Sequence, residues 1–293
     1  MLAKNSRIRW RYMPFSILKK QELVPTIHLM EIDAPRVARK AQPGQFVILR
    51  IDETGERIPL TIADFSRERG TITTIFMVVG KTTTHLSTLK TGDKIQDFIG
   101  PLGNPAHFEP GETVLFVGGG VGIAPVYPQA KAFGKAGCKV ISIIGARSAG
   151  LLFWEEEMRS VSDELHVTTD DGTKGHHGFV TDVLKEILAS GTKIDRVVAI
   201  GPPVMMRSVA GATRPFNVKT IVSLNSIMVD GTGMCGACRV LVGNETKFAC
   251  VDGPEFDAHL VDFTLLMGRL AMYQSEEKQA GERYRCGREG CPC

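Results

Sequence analysis

No stretch of this chain offers the roughly 18 uninterrupted apolar residues that a membrane-spanning helix needs, so no membrane association is expected. No run of Lys or Arg is long enough to track a phosphate backbone. The net charge of +3, from 35 basic and 32 acidic side chains, leaves no broad basic field for nucleic acid. The opening residues MLAKNSRIRWRYMPF lack an apolar core and a cleavage site, so no signal peptide is expected. Seven cysteines in 293 residues, several in C-x2-C-like spacing, do not make a disulfide framework. They read as metal ligands in a reducing compartment, which predicts a cytoplasmic, soluble protein. What is present is ordinary: 43% hydrophobic and 23% charged residues, enough to fill the cores of two or three small domains.

The rhythm of the chain changes twice. Up to about residue 100, β-rich runs alternate with turn signals: TIHLMEI (26–32), QFVILRI (45–51) and TITTIFMVV (71–79), with PG at 43–44 and TGD at 91–93. THLSTLK (84–90) is the single helix-like segment there. A small antiparallel β-barrel fits this pattern, and GPLGNP (100–105) reads as a linker after it. From 113 the order becomes strand, glycine turn, helix. TVLFVG (113–118), KVISIIGA (139–146), ELHVTT (164–169) and RVVAIG (196–201) are strands; helices follow through 151–158, 179–190 and 202–210. Such alternation predicts a parallel α/β sheet covered on both faces. The expected domains are thus 1–104, a barrel; 105–223, a nucleotide-binding α/β domain; and 224–293, a small metal segment with a helix near 261–280 and a Cys-rich tail. Leu266, Leu270 and Tyr273 would share one face of that helix, a stripe suited to docking on the parent domain.

VDGTGMCGACRV and KFACVDG set Asp230, Cys235, Cys238 and Cys250 in the pattern D-x4-C-x2-C-x11-C. A plant-type [2Fe-2S] cluster uses C-x4-C-x2-C and a distant fourth Cys. The pattern fits once Asp230 takes the place of the first thiolate. Gly231, Gly233 and Gly236 suit a loop wrapped closely around a cluster, since glycine tolerates positive φ. The competing readings are a structural zinc knuckle, which more often uses two short-spaced couples, and unligated thiols.

GGGVGIAP (118–125) follows an apolar strand and opens a helix, a junction where backbone N–H groups can approach a pyrophosphate. It lacks the strict dinucleotide fingerprint, so a ligand-free tight turn also explains it. Beside a cluster, a nicotinamide nucleotide calls for a two-to-one-electron exchanger, and flavin is the usual one. The barrel should then hold FAD, and RIPLTIAD (57–64) is the place: Arg57 can pair with a pyrophosphate. The Thr61 hydroxyl can hydrogen-bond a flavin ring nitrogen, which makes Thr61 the candidate catalytic residue. GKTTTHL (80–86) adds an anion-binding helix start, although a strand edge followed by an N-capped helix fits as well.

R-x-P-x-T, G-x-x-T-x-x-L, GPLG, GGGxGxAP and a late IGPP, in this order, resemble the ferredoxin–NADP reductase superfamily. The added cluster segment is similar to the electron-transfer subunits of dihydroorotate dehydrogenase and their relatives. Asp at the first ligand position, and FACVDGPEFDAHLVDF (248–263), resemble the branch of transhydrogenase small subunits that serve NADH-dependent reduced ferredoxin:NADP oxidoreductases. The resemblance spans about residues 10–265. It implies that Arg57, Pro59, Leu60 and Thr61 line a flavin and that Gly80, Thr82 and Thr83 hold its phosphates. It also implies that Gly119, Gly120, Gly122 and Pro125 approach the nicotinamide nucleotide, with Gly201 and Pro202 on its far side. NADH is implied over NADPH, with a larger flavin/iron–sulfur partner subunit and ferredoxin reached through the complex. Two residues depart from the family pattern. Ile200 stands where many reductases carry Cys, and Leu60 where an aromatic is usual. Alternatives are a dihydroorotate-type electron-transfer subunit and a redox-silent nucleotide-binding regulatory module with a structural metal.

Other candidates carry less. Arg147 and Ser148 follow the second nucleotide-domain strand, where a 2′-phosphate can be met, or Arg147 is a solvated loop residue. His176 and His177 read as part of a glycine-rich nucleotide-side loop rather than a metal site. Cys138 reads as a small buried hydrophobe. Cys286, Cys291 and Cys293 allow a metal site completed by another chain, or a disordered tail.

Overall fold

The computed structural model describes residues 15–289. Its first unit contains β1 (Phe15–Val24), β2 (Ile27–Asp33), α1 (Pro35–Lys40), β3 (Phe46–Arg50), β4 (Ile58–Ser66), β5 (Thr71–Met77), α2 (Lys81–Thr88), β6 (Lys94–Ile95) and β7 (Asp97–Leu102). The strands form one antiparallel sheet ordered β6-β1-β2-β5-β4-β3-β7. Its edge strands are consecutive in the chain with only Gln96 between them, so the sheet curls into a nearly closed barrel. Period-2 alternation drives this: Met30 and Ile32, Val47 and Leu49, and Ile62 and Ile72 all fill the barrel interior without exposure. Burial of each contributes about 2 kcal/mol.

The second unit runs through β8 (Thr113–Gly119), α3 (Ile123–Lys135), β9 (Lys139–Ala146), α4 (Glu155–Ser160), β10 (Glu164–Thr169), β11 (His176–His177), α5 (Val180–Ala189), β12 (Arg196–Ile200), α6 (Pro203–Thr213) and β13 (Lys219–Ser223). After it come β14 (Arg239–Val242), β15 (Glu245–Phe248), β16 (Glu255–Asp257), α7 (Phe263–Leu270) and α8 (Gln274–Glu289). The second sheet is ordered β11-β10-β9-β8-β12-β13-β16 and is parallel except for β16. Central β8 is covered on both faces, which explains its continuous apolar run: Val114, Leu115, Phe116 and Val117 are completely buried. The outer face of the barrel, through Ile27, Leu29, Ala63 and Ile75, shares a core with Ile123, Ala124 and Phe133 of α3.

Several boundaries differ from expectation for local reasons. Gly100–Leu102 belongs to the last barrel strand, because β7 pairs with β3 and buries Phe98; the linker starts at Gly103. α2 starts at Lys81 rather than 84, because the Thr83 hydroxyl accepts the N–H groups of Val79 and Gly80, both at 3.0 Å. α1 is a second helix in the barrel, too short to show a periodic face. α4 starts only at Glu155, after Trp154 at φ 55°. The expected terminal helix is two helices. Leu266 and Leu270 dock against the nucleotide-domain core, whereas Tyr273 lies on the exposed turn between α7 and α8 and leaves the stripe. From the end of the cluster segment, β16 joins β13 as an antiparallel edge strand of the nucleotide-domain sheet.

Candidate functional site

The loop after β13 turns through Gly231, Gly233 and Gly236, all at positive φ (77°, 85° and 67°). Its carboxylate organiser is Asp230. Asp230 Oδ2 accepts the backbone N–H of Cys235 at 2.7 Å, and Oδ1 accepts from the backbone and hydroxyl of Thr232. The Thr232 backbone bond, followed by the Thr232 hydroxyl and Cys235, holds the Asp230 carboxyl below the usual range. Across the loop, Cys238 and Cys250 are buried with their sulfurs 3.2 Å apart. Burial first, then the neighbouring Cys238 thiol, pushes Cys250 up to about 12.

Among the described residues, no three His, Cys, Asp or Glu side chains converge on a single metal ion. The four cluster candidates fall instead into two couples, Asp230 with exposed Cys235 and Cys238 with Cys250. Two irons that each need two terminal ligands suit two couples better than one converging set. Asp230 accepts three loop hydrogen bonds and keeps one lone pair, on Oδ2, for a further partner. The residues therefore fit a [2Fe-2S] group, with three sulfurs and one oxygen as donors.

The loop sits against the barrel. A Cβ on Gly231 would fall 2.7 Å from Leu102 Cδ1 and 2.8 Å from Ile48 Cγ1, and with φ at 77° glycine suits this approach. Ile48 faces Pro59 across the β3–β4 pairing, and Phe46 faces Thr61. One strand spacing, about 4.8 Å, thus separates the strand under the cluster loop from the strand bearing R-x-P-x-T. Beyond Cys250 the chain is clamped to the interdomain linker: Asn104 N donates to Gly253 O at 2.7 Å and its side chain to Val251 O at 3.1 Å.

Arg57, Thr82 and Thr83 come together at one end of the barrel. Arg57 Nη2 lies 3.9 Å from Asp97, and the adjacent Glu56 carboxylate accepts the Thr82 hydroxyl. Space is open above Gly80, where an added Cβ would meet nothing within 4 Å. Pro59 and Thr61 are half-buried on the outward face of β4, but Leu60 alternates inward into the barrel core. Its side chain is therefore not directed at a ligand on that face, and only its backbone remains for such a role.

The two glycine motifs of the nucleotide domain meet one another. A Cβ on Gly122 would fall 2.1 Å from Ile200 O, and one on Gly119 would meet Met205 sulfur at 2.3 Å and Pro202 at 3.5 Å. Gly122 is thus required by close packing against the backbone of the Ile200–Gly201 turn, whereas Gly119 is crowded by the movable end of the Met205 side chain. Gly120 differs: it has φ 55° and nothing within 4 Å of an added Cβ, so it opens onto free space at the start of α3. Pro125 is buried in the first turn of α3, where proline is tolerated. Arg147 is exposed at the end of β9, its carbonyl accepting from Asp171 N at 3.1 Å. His176 and His177 form edge strand β11 beside the end of β10. Cys138 is buried and its thiol donates to Glu109 O at 3.3 Å. Cys286 lies half-buried on α8. Cys291 and Cys293, and with them the proposed tail metal site, lie outside the described residues.

Residues 225–262 match the iron–sulfur cluster binding domain of dihydroorotate dehydrogenase B, and residues 116–211 match the oxidoreductase NAD-binding domain. The chain is 48% identical to the dihydroorotate dehydrogenase B (NAD(+)) electron transfer subunit homolog of Thermotoga maritima, covering 92% of this chain and 94% of that one. The chain belongs to the dihydroorotate dehydrogenase B electron-transfer subunit family. A Bacillus caldolyticus electron transfer subunit of that enzyme is 38% identical, over 76% of this chain and 87% of its own. A chain in the solved NADH-dependent reduced ferredoxin–NADP oxidoreductase, described for flavin-based electron bifurcation, superposes with a TM-score of 0.88 at 48% identity, covering 93% of this chain and 98% of that one. This family member is an oxidoreductase subunit with an NAD-binding domain and an iron–sulfur binding segment. Among the described residues, no helix is long and apolar enough to cross a membrane.

Two features escaped sequence reasoning. Glu56 sits beside Thr82 at the barrel end, and nothing in ETGER signals it. Gln129 and Glu255 meet between α3 and β16; the acid inside the otherwise apolar GPEF was the available signal.

Proposed function

We propose that this chain is the FAD- and [2Fe-2S]-carrying electron-transfer subunit of a bifurcating NADH:ferredoxin:NADP oxidoreductase. The observation that carries this reading is Asp230 bonded to Cys235 N, at the position a fourth thiolate would take, in a loop packed one strand away from the flavin motif. FAD, when bound, supplies the exchange between a two-electron hydride and single electrons. Arg57 and the start of α2 hold its phosphates, and Thr61 orients its ring by a hydrogen bond. Gly120 leaves room for a nicotinamide nucleotide to approach the α3 N-terminus, while the Gly201–Pro202 turn bounds it on the far side. NADH is favoured, because acidic Asp170 and Asp171 accompany Arg147 at the end of the neighbouring strand and would repel a 2′-phosphate. Asp230, Cys235, Cys238 and Cys250 hold the cluster, and the exposure of Cys235 supports electron exchange at that edge with a larger flavin/iron–sulfur partner. That complex would couple NADH and reduced ferredoxin to NADP reduction, or run in reverse.

The dihydroorotate-type subunit is the second reading, favoured by the family domain match at residues 225–262. Asp230 speaks against it. An anaerobic visible spectrum of the purified chain tests the common core: flavin bands and cluster absorption bleached by NADH are expected. Their absence sinks both readings. Co-purification of the large subunit, with ferredoxin- and NADP-dependent turnover against dihydroorotate-dependent turnover, separates the two.

A further inference from the structure

Where β16 joins the nucleotide-domain sheet, Gln129 Nε2 of α3 donates to Glu255 Oε1 at 2.6 Å. Gln129 is completely buried, and its own Oε1 has no hydrogen-bond partner among the described residues. A carboxylate only accepts, so it cannot satisfy that amide oxygen. A carboxylic acid can: its O–H donates to the amide oxygen while its carbonyl keeps the amide N–H, closing a two-bond ring. The pair is one proton short of full satisfaction.

Its surroundings favour that proton. Although Glu255 as a residue is only half-buried, its carboxyl end is enclosed, and burial pushes it up to about 7 against the Gln129 bond and the more distant Arg196. Arg196, on β12, is committed to His107 O and to Glu112 at 2.9 Å. β13 contributes uncharged Ser223 opposite Glu255. Both ends of the pair are connected along the chain to the sites proposed above for the nucleotide and the cluster. α3 begins at the glycine turn, and β16 follows Cys250 through the segment clamped to Asn104.

We propose that Glu255 is a redox-linked proton site, held by Gln129, that takes one proton from solvent when an electron enters the cluster segment and returns it when the electron leaves. The balance is one electron and one proton per event, with the electron derived from NADH and no covalent bond changed on the protein beyond the carboxyl O–H. The inference rests on the cofactor reading given above.

The test compares wild type and Glu255→Gln as flavin- and cluster-loaded full chains. Glutamine at 255 still pairs amide to amide with Gln129, so folding is preserved. Cluster midpoint potential is followed by spectroelectrochemistry across neutral pH, with reduced-minus-oxidised infrared spectra of the same samples. The wild-type potential should fall as pH rises through neutrality and a protonated-carboxyl band should appear on reduction; E255Q should show neither. Gln129→Leu, which keeps the acid but removes its partner, should move the pH at which the slope sets in. Equal pH slopes in wild type and E255Q overturn the proposal. Wild-type protein without cluster absorption overturns the cofactor reading and this inference with it, an outcome the visible spectrum distinguishes before any potential is measured.

Discussion

Asp230 Oδ2 accepts the backbone N–H of Cys235 at 2.7 Å, which ties the one non-thiolate candidate to the thiol it would share an iron with. The same carboxylate also caps Thr232, so Asp230 shapes the loop as well as offering a donor. These roles separate by substitution. Asp230→Cys supplies a softer donor, and it should retain a cluster with a changed reduction potential and a changed pH dependence. Asp230→Ala removes both caps and should lower iron content and speed amide exchange at Thr232 and Cys235. An unaltered potential and pH profile in D230C would remove Asp230 from the ligand set.

The glycines of the nucleotide turn should respond unequally. Gly122→Ala drives a methyl to 2.1 Å from the Ile200 carbonyl, and two packed turns must separate to admit it. We expect a loss of roughly 2–3 kcal/mol, seen as a lowered midpoint in urea. Gly120→Ala meets no neighbour and carries only the left-handed backbone penalty, about 1 kcal/mol. The milder variant should instead weaken NADH binding, since its methyl projects into the open space at the helix start. Equal stability losses would contradict the assignment of Gly122 to packing and Gly120 to ligand approach.

Burial of Glu255 makes stability pH-dependent with a definite sign. The unfolded chain ionises this carboxyl near 4.5, whereas the folded protein holds its proton up to about 7. Between those values the folded state binds more protons, so stability falls as pH rises, and the loss is complete above the folded value. The full span corresponds to roughly 3 kcal/mol. Glu255→Gln should abolish this component, and its denaturation midpoint should gain on wild type between about pH 5 and 7.5. Parallel pH profiles of the two proteins in urea melts would show that Glu255 ionises normally.

The alternation of barrel and nucleotide strands was legible because each strand has a simple burial rule. β9 and β10 match the expected segments residue for residue, one an apolar run in the sheet interior, the other bounded by turn residues. The ligand pattern was legible because its spacing is local. Pairing across the sequence was not. Ile48 and Leu102 against Gly231 bring residues from three parts of the chain together, and no short-range pattern encodes that approach. β16 reads as the end of a loop, since three residues carry too little periodicity to announce a strand that the β13 edge recruits. Leu60 was misdirected for a related reason. A motif position marks it as cofactor-facing, but period 2 within β4 turns it into the barrel while Pro59 and Thr61 face out.

α8 lies across the start of α2, where the flavin phosphates are proposed to bind. A Cβ on Gly281 would sit 3.9 Å from the backbone N of Lys81, and the Tyr284 ring is 5.6 Å from His85, which itself lies 3.8 Å from Asp52. Among the described side chains of α8, over 274–286, Gly281 is the buried one and most of the rest are exposed, so little apolar burial there holds the helix in place. A helix of this length and polarity is marginal alone, and these contacts with α2 help to hold it. Tyr284→Ala should cost about 1 kcal/mol of that docking, measured as faster amide exchange through α8. Gly281→Leu should push the helices apart and accelerate FAD release from loaded protein, followed by recovery of flavin fluorescence. FMN, which lacks the adenosine end, should leave both proteins at the same rate; accelerated loss of both flavins would mean that α8 supports the barrel as a whole rather than the dinucleotide end of the site.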